Sequence, residues 1–256
     1  MRVAVLADIH GNLPALEAVL AEITQLGVDR LVLNGDIAGG PLAGETLDRL
    51  DELGDRAIWI HGNGERGLVA GFDHAADPTA NEHDLEVGQL LSRPQRDRLA
   101  GLAMTVTLEV DGLGTVLCCH ATPRCDEEML LVDSPPSHYA QVLADVSADV
   151  VVLGHTHMPF DRLHDRRRVV NPGSVGMPYG HGGAAWALLG PGVELRRTFY
   201  DPAAAATRLA NSSWPRAAWW AETFVLQQAS DTEALEVVTQ IAWHQQQTAE
   251  KPVPRL

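Results

Sequence analysis

Five short clusters of metal-type residues stand in the 256-residue sequence, each directly after an apolar run. Asp8-Ile9-His10 follows Val3–Ala7, Gly35-Asp36 follows Leu31–Leu33, and Gly62-Asn63 follows Ile58–Ile60. His120 follows Val116–Cys119, and Gly154-His155-Thr156-His157 follows Val150–Leu153. Taken singly, each has an ordinary reading, because an Asp or Asn after a strand is commonly a turn or cap residue. Taken together they offer two Asp, one Asn and four His. Such a mixed nitrogen and oxygen set suits borderline divalent cations, Mn²⁺, Fe²⁺, Zn²⁺, Co²⁺ or Ni²⁺, better than Ca²⁺. Seven ligands exceed one tetrahedral set, so two ions sharing a bridging carboxylate is the economical arrangement. Two Asp charges against two divalent ions leave such a centre positive, and Asn63 adds only a neutral oxygen. A centre of that kind attracts phosphate, bridges a phosphoryl group and lowers the pKa of a shared water for in-line attack.

The elements that must carry these clusters are legible as alternation. The pattern predicts strands at Arg2–Ala7, Arg30–Leu33 and Ala57–Ile60, with helices between them at Leu13–Leu26 and Leu42–Leu53. Asn12 and Gly27 are suited to cap the first helix, and Pro14 is tolerated in its first turn. Strand–helix–strand units of this spacing predict a parallel sheet core, whose strand carboxyl ends gather on one edge, where ligands bind. Two short helices are expected within residues 66–103. A hairpin is expected at Met104–Val110 and Thr115–Cys119, turning at Asp111-Gly112. Further strands are expected at Val150–Leu153, Phe160–Leu163, Arg168–Asn171, Ala185–Leu189 and Val193–Tyr200, with helix from Pro202 to about Thr248. Trp214, Trp219, Trp220 and Trp243 read as packing against the sheet.

Composition removes other chemistries. The length suits one large α/β domain or two small ones, and 45% hydrophobic with 21% charged residues is globular. Nineteen Lys+Arg against 34 Asp+Glu give a formal charge of −15, which opposes broad nucleic-acid or anionic-membrane binding. The run Arg166-Arg167-Arg168 reads as an exposed turn. Lys251 is the only lysine, so a P-loop lysine and a Schiff-base lysine have no candidates at their positions. Cys118, Cys119 and Cys125 form no C-x-x-C pair, which argues against a zinc ribbon and a disulfide framework. No signal-like segment and no 18-residue apolar run are present. The expectation is a cytoplasmic protein with no membrane span.

The order D-x-H, G-D, G-N, post-strand His and G-H-x-H, completed by Asn171-Pro172-Gly173-Ser174, resembles the calcineurin-like metallophosphoesterases over about two thirds of the chain. The resemblance implies a four-layer αββα sandwich of two mixed β-sheets. Residues 1–256 would form a single domain, with a helical lid-like insertion at about 66–103 and C-terminal helices at about 202–248. Carried over position by position, Asp8, His10 and His157 would hold one metal, Asn63, His120 and His155 the other, and Asp36 would bridge them. Mn²⁺ leads among the cations. A metal-bridging hydroxide would attack a phosphodiester or a small phosphomonoester, with Asp36 and Asn63 central to catalysis. The expected partner is a small phosphorylated substrate, and a homo-oligomer is compatible with the sequence. A Ser/Thr-type protein phosphatase and a non-catalytic scaffold of the same fold are the competing readings. One departure stands out. Many members carry His after the motif Asn to assist the leaving group, and here that position is Gly64. His61 and His181 are the candidates to take the role, His181 and Arg66 to touch substrate, Arg66 by clamping a phosphate oxygen.

Overall fold

Alternation along β1 (Val3–Leu6) sets both faces of the first sheet, because successive side chains of a strand point to opposite sides. Val3 and Val5 join the apolar layer between two sheets, while Ala4 and Leu6 pack under helices. The same division recurs in β2 (Arg30–Asn34), where Val32 faces the other sheet and Leu31 and Leu33 face the helices. The computed structural model describes residues 1–76, 80–180 and 182–249.

Besides β1 and β2, the first sheet contains β3 (Ala57–Ile60), β9 (Ala184–Leu189) and β10 (Val193–Thr198), in the order β10-β9-β1-β2-β3. The second contains β4 (Thr105–Val110), β5 (Gly114–Cys119), β6 (Val150–Val152), β7 (Phe160–His164) and β8 (Arg167–Asn171), in the order β4-β5-β6-β8-β7. Both sheets are mixed. β1, β2 and β3 run parallel in one, and β5, β6 and β8 run parallel in the other. The remaining strands pair antiparallel at the flanks, so the all-parallel core expected from strand–helix alternation holds for three strands in each sheet.

Helices α1 (Leu13–Leu26) and α2 (Ala43–Asp51) cover the outer face of the first sheet. Asn12 caps α1 through its side chain, which accepts from the backbone N–H of Ala15 at 3.2 Å. Tyr139, Val142 and Leu143 on or beside α6 (Pro136–Val142) cover the outer face of the second sheet. The layers are therefore helix, sheet, sheet, helix.

The segment expected to hold two helices holds three: α3 (Asn63–Phe72), α4 (Glu82–Gly88) and α5 (Arg93–Ala100). The first begins at Asn63 itself, because Gly62 and Glu65 supply an N-terminal cap that hydropathy does not register. Residues 77–79 within that segment lie outside the described residues. The C-terminal part contains α7 (Pro202–Ala210), α8 (Ala217–Ala221) with a π-turn, and α9 (Asp231–Ala249). Trp214 and Trp220 are buried there, whereas Trp219 and Trp243 are about half exposed at 48% and 56%. Trp214 and Arg216 fix α4, donating to Glu86 and Glu82 at 3.0 and 2.8 Å. The arginine run is mostly strand: Arg167 and Arg168 belong to β8, and Arg168 is paired with Asp161 on β7. Among the described residues no helix is long and apolar enough to cross a membrane.

Candidate metal centre

The three parallel strands of each sheet end on a common rim, and all seven predicted ligand residues lie in the loops and helix start just beyond it. Asp8, His10 and His157 place one ligand atom each within 4.8 Å of one another, and Asp36, His120 and His155 do the same. Asp8 Oδ1 is 3.3 Å from His157 Nε2, and His10 Nε2 is 3.2 Å from His157 Nε2. Asp36 joins the two groups, with Oδ1 3.4 Å from His120 Nε2 and Oδ2 3.8 Å from His10 Nε2. Asn63 Oδ1 is 3.2 Å from His120 Nε2.

Three of the imidazoles are oriented by backbone carbonyls. His120 Nδ1 faces the Asn34 carbonyl at 2.9 Å, and His157 Nδ1 faces that of Met177 at 3.1 Å, which leaves Nε2 of each for the centre. In His155 the ring is reversed, with Nε2 facing the Glu127 carbonyl at 3.1 Å and Nδ1 left over. Rings held in this way offer one nitrogen to a cation and use the other for anchorage. Asn34 also ties the sheets together, since its side-chain N–H donates to the Cys119 carbonyl at 2.8 Å. Gly35 is required beside it: φ is +85°, and a Cβ there would lie 2.5 Å from His120 Nδ1.

Five of the seven carry their backbone in the left-handed region: Asp8, His10, Asp36, His155 and His157, with φ between 47° and 64°. Each such residue costs about 1–2 kcal/mol, and strain of this kind gathers at functional sites. The Asn171-Pro172-Gly173-Ser174 turn buttresses these loops. Asn171 Nδ2 donates to the Gly154 carbonyl at 2.7 Å, and the Ser174 hydroxyl donates to the Asp8 carbonyl at 2.7 Å.

A divalent cation fits this donor set. Asp8 Oδ1 is fully buried with no hydrogen-bond partner among the described residues, a condition normally met only where something else satisfies the atom. Burial pushes both carboxyls up, but His157 and His120 hold Asp8 below its ordinary value, and His120 and His10 do the same for Asp36. Burial opposes charge on His120 and His157 too, yet the facing carboxylates raise both, His120 to about 10. His10 and His155 are carried by burial to about 4, so they are neutral at pH 7, the form in which imidazole ligates.

The remaining predicted residues sit beside this cluster. Gly64 contributes its backbone N–H, which donates to Asp36 Oδ1 at 2.7 Å. His61 Nδ1 is 3.6 Å from Asp126 Oδ2. The Arg66 guanidinium pairs with Asp126 and Glu127 at 2.8 and 2.7 Å. His181 lies outside the described residues.

Two acids escaped the sequence reading. Glu65 is buried and accepts from the backbone N–H groups of Asp36, Ile37 and Gly62 at 2.7–2.8 Å, locking the two loops that carry Asp36 and Asn63. Burial beside Asp36 pushes it up to about 7. A Glu three positions after an N-cap is the capping-box spacing, and that was the available signal. Asp84 on α4 is also buried, and burial near Asp36 and Glu65 raises it well above the ordinary carboxyl range. Its Oδ1 occupies space that a side chain at Gly39 would take, 2.4 Å from that residue's would-be Cβ.

The family model of the calcineurin-like phosphoesterase superfamily domain matches residues 1–190. This chain belongs to that superfamily. Among relatives of this phosphoesterase, the uncharacterized protein MJ0912 of Methanocaldococcus jannaschii is 27% identical over 248 residues, covering 88% of this chain and 97% of its own. Phosphodiesterase YfcE of Escherichia coli K12 is 26% identical over 198 residues, covering 74% and 87%. The crystal structure of a metallophosphoesterase from Sphaerobacter thermophilus shares the fold at 24% identity, with a TM-score of 0.70 over 88% of this phosphoesterase and 98% of that chain.

Proposed function

We propose that this phosphoesterase hydrolyses phosphodiesters or small phosphomonoesters with two divalent metal ions, Mn²⁺ foremost. Asp8, His10 and His157 would hold one ion, Asn63, His120 and His155 the other, and Asp36 both. The carrying observation is the buried Oδ1 of Asp8, which accepts no hydrogen bond although His157 Nε2 lies 3.3 Å away, beside a second donor group that Asp36 joins to the first. The kinship with a protein named as a phosphodiesterase supports the diester reading.

Such an ion pair, when bound, supplies Lewis acidity at phosphoryl oxygens and a water acidic enough to act near neutral pH. The chain's own contribution is placement. Glu65 fixes the Asp36 and Asn63 loops, and carbonyls of Asn34, Glu127 and Met177 fix three rings. Gly64 brings no proton donor, so leaving groups that need little protonation, such as aryl alcohols, suit this site best.

The test is hydrolysis of bis-(p-nitrophenyl) phosphate and p-nitrophenyl phosphate by protein loaded with Mn²⁺, alongside metal analysis. Turnover that collapses by about 10²-fold or more in Asp36→Ala and Asn63→Ala is expected. No turnover, or variants as active as the parent, overturns the reading. Phosphopeptides turned over faster than diesters would make it a protein phosphatase.

A further inference from the structure

Where the ligand loops end, an open cleft of about 490 Å³ begins, within the usual range for small-molecule sites. It follows one side of α3, whose first residue is Asn63, and its lining runs from His61 and Glu65, which flank that residue, to Asp73, Ala75 and Ala76 past the far end of the helix. Glu65, Val69 and Asp73 recur at the four-residue spacing of a single helix face and line it. The near end is polar, made by His61, Glu65 and Arg66. Glu65 bonds the backbone of Asp36, and Arg66 pairs with Glu127, whose carbonyl faces His155, so this end shares residues with the supports of the centre.

Beyond that end the lining is apolar or small, with Val69 and Ala70 opposite Leu99 and Leu102. The charges along it are already answered: Arg66 by Asp126 and Glu127, and Asp73 by Arg96. A phosphate therefore gains nothing by entering, whereas an uncharged organic group gains by leaving water. We infer that this cleft receives the organic substituent of the phosphoester and selects an apolar, aryl-sized group. The inference rests on the proposed hydrolytic site and adds its substrate class.

The test compares p-nitrophenyl phenyl phosphate with p-nitrophenyl methyl phosphate on the Mn²⁺-loaded protein. Both expel the same alcohol, so kcat/KM, corrected for uncatalysed reactivity, reports the retained substituent. The phenyl ester is expected to be preferred by about tenfold. Ala70→Phe, which fills the cleft, and Leu102→Asp, which charges it, should each bring the ratio towards one. Equal kcat/KM in the parent, or an undiminished ratio in both folded variants, overturns the inference. Titration with phenyl phosphate and methyl phosphate separates the two proposals. With neither diester hydrolysed but phenyl phosphate bound about tenfold tighter, the cleft stands and the hydrolytic reading falls; equal affinities remove the cleft.

Discussion

Asp8 Oδ1 and His157 Nε2 stand 3.3 Å apart, although one follows β1 of the first sheet and the other follows β6, the middle strand of the opposite sheet's parallel set. The pair spans the rim between the sheets, so a cation held there would staple both halves of the sandwich. A ligand that binds only the native form at 100 times its Kd stabilises by about 2.7 kcal/mol. For a chain of this size that is a rise in Tm of about 5–10 °C. Thermal unfolding with excess Mn²⁺ and with chelator should show it, and Asp8→Asn should lose most of it. An unchanged Tm in the parent would sink the prediction.

Glu65 gives a test of loop positioning. Glu65→Gln keeps the shape but leaves one oxygen acceptor for three N–H donors, so at least one buried donor goes unpaired. A cost of about 1–3 kcal/mol is expected in urea unfolding. Mn²⁺ affinity should weaken as well, because the Asp36 and Asn63 loops are no longer locked. Unaltered stability and affinity would show that Glu65 fixes nothing.

Asp84 and Gly39 form a socket whose two sides can be varied separately. Gly39→Ala forces its Cβ against Asp84 Oδ1 and should destabilise by about 1–3 kcal/mol. Asp84→Ala empties the space, so the double variant should be more stable than the sum of the two single changes predicts. Strict additivity in chemical denaturation would refute the socket.

Glu128 sets an acid limb of stability. It is half-buried, which raises its pKa, but hydrogen bonds from Arg124, His138 and Thr122 prevail and hold it at about 2. Its pKa is thus lower in the folded than in the unfolded chain. The stabilisation is present above about pH 4.5 and is lost as pH falls towards 2. After allowance for solvent screening, Glu128→Gln should cost about 1–2 kcal/mol at pH 7. The gap to the parent should close on acidification, and a gap independent of pH would count against it.

Much of the centre could be read from sequence because two strong local signals coincide. Period-two apolar runs fix the strands, and strand carboxyl ends fix where the following Asp, Asn and His must gather. The missing pieces depend on complementarity across distance. Asp84 looks like an exposed helix charge until Gly39, 45 positions earlier, is seen to make room for it. α6 is a seven-residue helix opening on prolines, too short to show a period. Arg167 looks like a turn residue because its register opposite His164 on β7 leaves no mark in hydropathy. Trp219 and Trp243 share their composition with buried Trp214 and Trp220, and only packing tells them apart.

The Ser174 hydroxyl supporting the Asp8 carbonyl has a consequence for biosynthesis. Asp8 and Asp36 emerge from the ribosome while His155, His157 and Ser174 are still untranslated. An early acidic pair therefore waits with His10 but without the imidazoles of the second sheet, which must be made before the loops can close upon each other. A cation that needs both sets of side chains would be acquired only after Ser174 is made, when the growing polypeptide has about two thirds of its length.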